Sequence, residues 1–280
     1  MIDTFSLLPG NQRRRSLILL CCALSFLALI AVSGVILEPQ ALLCDLAQKN
    51  LSPSWQHPFG TDALGRDMLL RTLSGLSRSI RVGLVTAAAS AILALLLGVL
   101  AALGRPWISG SLSFLTDLAL GIPHILLLLL ISYACGKGFW GVALGVTLSH
   151  WPGLSRVLRA ETLQVKDSGY VQAARRLGCS QLRIFRDHLL PHLLPQLLAG
   201  LILLFPHAIL HEASVTFLGF GLPPDQPAIG SILSESMQYL SLGYWWLALF
   251  PGLLLLVTVL LFDLLGEAAR RLLDPASAHL

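Results

Sequence analysis

Two histidines, His207 and His211, lie four residues apart in a long apolar stretch of the sequence. Residues with this spacing occupy one face of a helix, so both imidazoles would meet the same space. Neutral imidazole is a favoured ligand for nickel, copper and zinc, and the pair is therefore a candidate for a transient metal contact. Two histidines cannot complete a nickel coordination sphere, so the other ligands would come from a small chelator or a partner. The alternative is that each ring only hydrogen-bonds to a neighbouring helix or to lipid head groups.

Glu212 follows His211 directly, which places an acid and a base side by side. Adjacent residues on a helix point about 100° apart, which is a poor geometry for joint catalysis, so we count Glu212 only as a candidate for lining a substrate path. The sequence contains neither H-E-x-x-H nor G-x-S-x-G, the patterns of zinc proteases and serine hydrolases. A G-x-x-x-x-G-K-[ST] phosphate loop is also absent. We therefore expect no enzyme activity, no catalytic residue and no cofactor in this chain.

A short amphipathic segment covers residues 167–178 and ends in Gly178. Its apolar and small side chains recur with helical spacing at Tyr170, Ala173, Ala174 and Leu177. Glycine suits the position after a helix, where a positive φ is needed. Ser180 is a good N-cap for a second short helix, which we expect Pro191 to close. The pattern predicts a small helical knob whose face would fit a groove of another protein; a plain surface linker is the alternative.

The overall composition predicts the kind of fold that positions these residues. The chain has 280 residues, of which 55% are hydrophobic and only 12% are charged, against about 25% charged in an ordinary soluble protein. So few charges cannot cover the surface of a soluble fold of this size. This composition excludes a disordered chain, a basic nucleic-acid-binding domain and a disulfide-stapled secreted module. The sequence predicts a polytopic membrane protein of the all-α class.

Stretches of about 20 mostly apolar residues are long enough to cross the hydrocarbon core of a bilayer. Six segments meet this requirement: 16–37, 82–103, 112–133, 139–157, 193–210 and 245–265. We therefore expect six transmembrane helices. The N-terminal segment (1–81) would hold the first helix and a long extracytoplasmic loop, and the core (82–280) would hold the other five helices.

Most of the 19 lysines and arginines fall on one side of the membrane if the N-terminus is cytoplasmic. This orientation places both termini and the segment 159–192 in the cytoplasm, and it places the long loops before residue 81 and at 211–244 outside. Four arginines between residues 66 and 81 then lie on the outer side. We interpret their segment as an amphipathic helix on the outer interface.

Five ordered motifs carry a family resemblance. They are Gly60-Thr61-Asp62-Ala63-Leu64-Gly65-Arg66-Asp67 before the second span, Gln172-Ala173-Ala174 with Gly178, His188 and Leu190-Pro191 in the cytoplasmic segment, Phe217-Leu218-Gly219-Phe220-Gly221 after the fifth span, and Leu264-Leu265-Gly266-Glu267 and Leu273-Asp274-Pro275 in the tail. Together they resemble the inner-membrane permeases of bacterial ABC importers, in the branch for peptides and nickel. The family signature is Glu-Ala-Ala, three residues, Gly, nine residues, Ile, any residue, Leu-Pro. This sequence departs from it at Gln172 and His188.

The resemblance implies a permease subunit of an ATP-driven importer in the bacterial cytoplasmic (inner) membrane. Two ATP-binding subunits would dock on the knob, through residues Tyr170, Gln172, Ala173, Ala174, Leu177, Gly178, His188, Leu190 and Pro191. ATP would be used by those partners and not by this chain. A second permease subunit would complete the pathway, and an extracytoplasmic substrate-binding protein would deliver the substrate. Membrane lipid is the remaining partner, and nucleic acid is not expected.

The substrate is inferred from the lining of the fifth span. The two histidines resemble the His-x-x-x-His that precedes the Phe217–Gly221 motif in nickel-type permeases, so we expect nickel or a nickel chelate to be carried. The first alternative is a dipeptide or oligopeptide importer. The second is an ion-coupled secondary carrier, in which Asp117 and Asp263 would share a cation. Five other histidines are interpreted as structural: His57, His124, His150, His188 and His192.

Overall fold

The computed structural model describes residues 12–223 and 226–273. The α-helices within them are α1 (Gln12–Ala41), α2 (Met68–Leu103), α3 (Pro106–Gly121), α4 (His124–Ala134), α5 (Phe139–Lys166), α6 (Gly169–Arg176), α7 (Gln181–Ile184), α8 (Leu190–Phe217), α9 (Ile229–Leu240) and α10 (Trp246–Leu273). A 3₁₀ turn covers Leu46–Gln48, and a π-helical turn covers Phe185–Leu189. No β-strand occurs in the described ranges, which confirms the all-α class. The extreme termini and the Asp274-Pro275 part of the tail motif lie outside the described residues.

Four helical segments are long and apolar enough to cross a membrane: 20–41, 68–103, 181–217 and 246–269. The pair formed by α3 and α4 adds a fifth if it counts as one bent span. Helix α5 is 28 residues long, but polar residues such as His150, Arg156 and Arg159 lower its apolar character. The structure therefore supports four or five spans by length and composition, and the predicted number of six is not confirmed.

The predicted third span, 112–133, is not one straight helix. Helices α3 and α4 meet at an angle of 102°, and the break falls at Ile122 and Pro123. Proline disfavours the helical conformation in the residue before it, and Ile122 is accordingly extended, with φ −86° and ψ 134°. The bend leaves His124 as the first residue of α4.

Helix α2 is the longest helix in the described part of the chain, with 36 residues. Its first turns contain Arg71, Arg78 and Arg81, three of the four arginines for which we expected an amphipathic helix on the outer interface; the stretch is instead the start of this long helix, and Arg66 lies just before it. Asp67 caps α2 by accepting from the backbone N–H groups of Leu69 and Leu70. Arg71 is buried, with 3% of its surface exposed. Ion pairs within the fold compensate the charge of these arginines: Arg71 pairs with Asp62, and Arg78 pairs with Glu38.

The core of the bundle forms where α2 packs against α1, α5 and α8. Ile80 of α2 and Ile209 of α8 belong to one buried cluster. Small residues let the helices come close: a Cβ added to Gly98 would lie 2.7 Å from the carbonyl oxygen of Ser155 on α5. Such close approach through small residues is a typical way for helices to pack in membranes.

The bundle has two distinct ends. We call the end that holds the 45–67 loop and α9 the loop end, and the end that holds α6 and α7 the knob end. Helix α8 runs from the knob end to the loop end, and the π-helical turn joins it to α7. Pro191 therefore does not close the second knob helix as predicted. It lies in the first turn of α8, directly after the π-helical turn.

Candidate functional site

The knob is a small folded unit with a core of its own. Val171 and Ala174 of α6 are buried against Ile184 and Leu189 of the following turns. Gly178 has φ +80°, as predicted, and the hydroxyl of Ser180 caps α7 by accepting from the N–H of Arg183 at 3.3 Å. The predicted local structure of the knob is confirmed. Gly178 has the positive φ, and Ser180 forms the N-cap, that the sequence predicted.

The exposed side of the knob carries apolar residues. Leu177 is 84% exposed, and Tyr170 and Ala173 are also exposed; we call these three residues the docking face. Ala174 does not belong to this face, which corrects our prediction, because it is buried in the core of the knob.

The other predicted docking residues lie on α6 and on the turns that lead into α8. Gln172 donates from Nε2 to the carbonyl oxygen of Asp167 at 3.0 Å. The imidazole of His188 lies edge-on to the ring of Tyr170, with centroids 5.8 Å apart. Leu190 is half-buried and Pro191 exposed at the start of α8. The signature residues thus shape the junction between the knob and the span that follows it.

A cavity of about 590 Å³ lies between the α3–α4 bend, α5 and α8. Its wall is largely apolar and includes small residues, among them Gly153 and Gly200. Four histidines also line it: His124, His150, His207 and His211. The predicted pair on α8 therefore does line one common cavity.

Three of these histidines form a compact cluster, which we call the histidine triad: His124, His150 and His211. Their ring centroids are 4.5 to 4.9 Å apart, and the rings meet edge to face. One nitrogen of each ring lies within 4.8 Å of one nitrogen of each of the others. His207 is not part of this group; its Nδ1 contacts the carbonyl oxygen of Leu203 at 2.8 Å. The structure therefore brings the ring of His211 against the rings of two histidines that we had interpreted as structural, whereas its contact with His207 is to the backbone carbonyl.

Glu212 was predicted to line the substrate path, and its position corrects this. The residue is fully buried and accepts from the hydroxyl of Thr216 at 2.9 Å. The same hydroxyl oxygen accepts from the backbone N–H of Leu222 at 3.2 Å. Glu212 therefore joins the end of α8 to the turn after it, and it is not among the residues that line the cavity.

The Gly60–Asp67 motif folds the loop end. The Asp62 carboxylate accepts from the backbone N–H groups of Leu64 and Arg66, at 2.8 and 2.9 Å. It also pairs with Arg66 Nε at 2.7 Å and with Arg71 Nη1 at 2.6 Å. Arg71 in turn contacts Glu235 of α9, with Nη2 and Oε2 2.9 Å apart. The Asp62 carboxylate thus links the loop to the start of α2 and, through Arg71, to helix α9.

Other residues of the motif hold the adjoining loop in place through hydrogen bonds and turns. Thr61 accepts from the backbone N–H of Leu51 at 2.9 Å, and Asp67 contacts the Nδ1 of His57 at 2.7 Å. Gly60 and Gly65 have φ +72° and +73°, a conformation that favours glycine. The motif is therefore an architectural one in this chain.

In the alternative of an ion-coupled carrier, Asp117 and Asp263 would share a cation, but this site is not formed around Asp117. That carboxylate pairs with Arg156 of α5 at 2.5 Å, so an arginine already supplies its counter-charge. Asp263 is exposed on α10. The structure thus gives no support to a shared cation between these two residues.

Comparison with known proteins places the chain among transporters. The family described as binding-protein-dependent transport system inner membrane component matches residues 94–278. A putative peptide transport system permease protein of Brucella suis is 40% identical over 223 residues, which is 80% of this chain and 75% of that protein. The dipeptide transport system permease protein of Bacillus subtilis is 31% identical over 253 residues, which is 90% of this chain and 79% of the relative.

Solved structures share the fold. A methionine ABC transporter in an inward-facing conformation aligns with a TM-score of 0.61 and 21% identity, over 74% of this chain and 98% of that one. An amino acid ABC transporter with histidines aligns with a TM-score of 0.54 and 19% identity, over 72% and 93%. The chain therefore belongs to the inner-membrane permease components of ABC importers, and it is a transport subunit, not an enzyme.

Proposed function

We propose that this chain is the permease subunit of an ATP-driven importer for dipeptides or short oligopeptides. The observation that carries the proposal is the relatedness to permeases named for peptide and dipeptide transport, at 40% and 31% identity over most of the chain. These names favour the peptide alternative over the nickel interpretation that the paired histidines suggested.

The docking face supports the presence of ATP-binding partners. Leu177, Tyr170 and Ala173 are exposed on a knob that has its own core, and the sequence has no phosphate loop of its own. Two ATP-binding subunits would each contact one permease and would bias it between two conformations by binding one of them more tightly. The knob is suited to transmit this bias because it continues through the π-helical turn into α8.

The cavity supports a pathway along α5 and α8. Its largely apolar wall with a few polar groups is the kind of lining that accepts small organic ligands. The side chains of Gln196 and the four histidines supply polar groups along one wall. A second permease subunit would provide the facing wall, and an extracytoplasmic binding protein would deliver the peptide at the loop end.

Nickel or a metal chelate is the second candidate substrate. The observation that favours it is the concentration of histidines on the cavity wall, because imidazole binds nickel well. A transient contact suits transport better than tight binding, which would impede release.

Uptake measurements separate the two candidates. Cells that lack the gene, and the same cells with the gene restored, are given a radiolabelled dipeptide or radiolabelled nickel in parallel. We expect gene-dependent dipeptide uptake that stops when ATP is depleted. Gene-dependent uptake of nickel without uptake of the dipeptide would overturn the proposal in favour of the second candidate.

A further inference from the structure

Three histidines from three different helices meet at the wall of the cavity. His124 begins α4 directly after the bend, His150 lies on α5, and His211 lies near the end of α8. Their ligand nitrogens lie within 4.8 Å of one another. Nitrogens that share a tetrahedral metal ion at about 2.0–2.1 Å are about 3.4 Å apart, so each nitrogen would have to move by less than about 1 Å.

Backbone contacts orient two of the rings for metal binding. Nδ1 of His150 lies 2.8 Å from the carbonyl oxygen of Val146, and Nδ1 of His211 lies 2.7 Å from that of His207. A carbonyl oxygen can only accept, so Nδ1 carries the proton in these contacts and the neutral ring presents its lone pair on Nε2. Metal-binding histidines usually donate their second ring nitrogen in this way, which fixes the tautomer and the ring orientation.

The triad contains nitrogens that have no partner. His150 is 9% exposed, and the Nε2 atoms of both His150 and His124 are buried without a hydrogen bond in the part of the chain that the structure describes. A buried polar atom without a partner costs free energy, so such atoms in a native fold need an explanation. A metal ion at the centre of the triad would give both nitrogens a partner.

We propose that His124, His150 and His211 bind one divalent transition-metal ion of the nickel, copper and zinc group at the cavity wall. Imidazole suits these ions, whereas magnesium and calcium prefer oxygen ligands, and the triad supplies none. Three protein ligands leave one coordination position open, and the cavity provides room for a further ligand there. The site follows from the geometry of the rings and not from the nature of the cargo, so it extends the proposed function and does not depend on it.

Metal titration of the purified transporter tests the site. The full chain is purified with its partner subunits and without a polyhistidine tag, and it is titrated with zinc chloride and, as a control, magnesium chloride. We expect one zinc ion per chain and no magnesium binding. His124→Gln, His150→Gln and His211→Gln should each weaken zinc binding more than tenfold, because loss of a contact outside the ligand shell already costs about 10- to 100-fold.

His207→Gln is the matched control. This histidine lines the same cavity one turn before His211 but lies outside the triad, so its replacement should leave zinc affinity within about twofold of the parent. Loss of zinc binding in His207→Gln with unchanged binding in His150→Gln would overturn the triad and assign the metal to the pair on α8. Absence of saturable zinc binding by the parent would overturn the site altogether.

A measurement on the parent protein makes the test independent of whether the variants fold. Copper(II) added at one equivalent should give an electron paramagnetic resonance spectrum with hyperfine splitting from three imidazole nitrogens. A spectrum with one or two nitrogens would contradict the triad. Peptide uptake is measured separately, so failure of metal binding and failure of the proposed transport function are distinguishable.

Discussion

Arg71 at the start of α2 and Glu235 on α9 are joined by an ion pair whose Nη2 and Oε2 atoms lie 2.9 Å apart. The two residues are 164 positions apart in sequence, and Arg71 is 3% exposed. Asp62 completes the pairing of the guanidinium from the other side, at 2.6 Å. A buried arginine between two carboxylates therefore ties the first long loop to the helix that precedes α10.

The first prediction concerns this network. Asp62→Ala should destabilise the fold by about 3 kcal/mol, because breaking a buried pair leaves a charge without full compensation. The measurement is chemical denaturation of the purified protein. Asp117→Ala is the control, since its pair with Arg156 is exposed and exposed pairs contribute little. Equal stability of the two variants would contradict an architectural role for the network.

A second prediction concerns the turn inside the same motif. Gly65 has φ +73°, and a Cβ at this position would lie 1.7 Å from the carbonyl oxygen of Asp45. Gly65→Ala should therefore lower the melting temperature and the amount of protein in the membrane, because it adds a steric clash to a backbone cost of about 1–2 kcal/mol. Gly110→Ala is the matched control: that glycine lies in α3 with open space around it. A Gly65→Ala protein that melts like the control would show that the loop can move away.

Local features of the knob and of the family motifs could be predicted from the sequence because they depend on neighbouring residues. The positive φ of Gly178 and the cap at Ser180 are of this kind. The continuation of α2 through Arg71 could not be predicted, because the partner that neutralises this arginine, Glu235, is distant in sequence. Hydropathy alone treats such a charge as a reason to end a span.

The histidine triad was missed for the same reason. Periodicity shows which residues share a face of one helix, and it correctly placed His207 and His211 towards one space. It does not show which helices meet, and the triad needs α4, α5 and α8 together. A usable signal was present, since histidine is uncommon in apolar spans, and His124 and His150 lie in two predicted spans while His211 directly follows a third.

The third prediction separates coupling from folding in the knob. Ala173 is exposed on the docking face, and Ala174 is buried against Ile184 and Leu189. Ala173→Glu should leave the protein in the membrane but stop ATP-driven uptake, because a charge would enter the contact with an ATP-binding subunit. Ala174→Glu should instead reduce the amount of folded protein, because the charge would enter the core of the knob.

The control for this pair is Gln172→Glu. It adds the same carboxylate one residue away, at an exposed position where the family signature itself has glutamate, and we expect uptake to persist. Membrane-embedded protein is quantified for all three variants alongside peptide uptake. Normal uptake by Ala173→Glu would remove the docking role from this face.

The last prediction decides whether α3 and α4 cross the membrane or form a re-entrant loop. The structure contains contacts that bear on it at the loop end. The backbone N–H of Gly138, just after α4, donates to the carbonyl oxygen of Gly221 at 3.1 Å, and the hydroxyl of Ser132 donates to the carbonyl oxygen of Phe220 at 3.1 Å. The end of α4 therefore lies beside the loop after α8, on the side that also holds α9. The knob lies at the opposite end of α8.

Three native cysteines report on these positions. Cys44 and Cys135 are exposed at the loop end, and Cys179 lies in the knob. Single-cysteine variants that each retain one of them are treated with a membrane-impermeant maleimide, before and after the membrane is permeabilised. Cys44 and Cys135 should react in intact spheroplasts, and Cys179 should react only after permeabilisation, because the basic segment around it favours the cytoplasm.

Labelling of Cys135 together with Cys44 would establish the bent pair as one broken span. With α5 crossing back to the knob, the chain would then pass the membrane six times, through α1, α2, the α3–α4 pair, α5, α8 and α10. If Cys135 instead reacts only after permeabilisation, as Cys179 should, α3 and α4 form a re-entrant loop. Helix α5 would then begin and end on the cytoplasmic side and could not cross the membrane. A substitution at the bend offers a control, since Pro123→Ala restores a backbone donor without moving Cys135 across the membrane. The side from which Cys135 reacts should therefore be the same in that variant and in the parent.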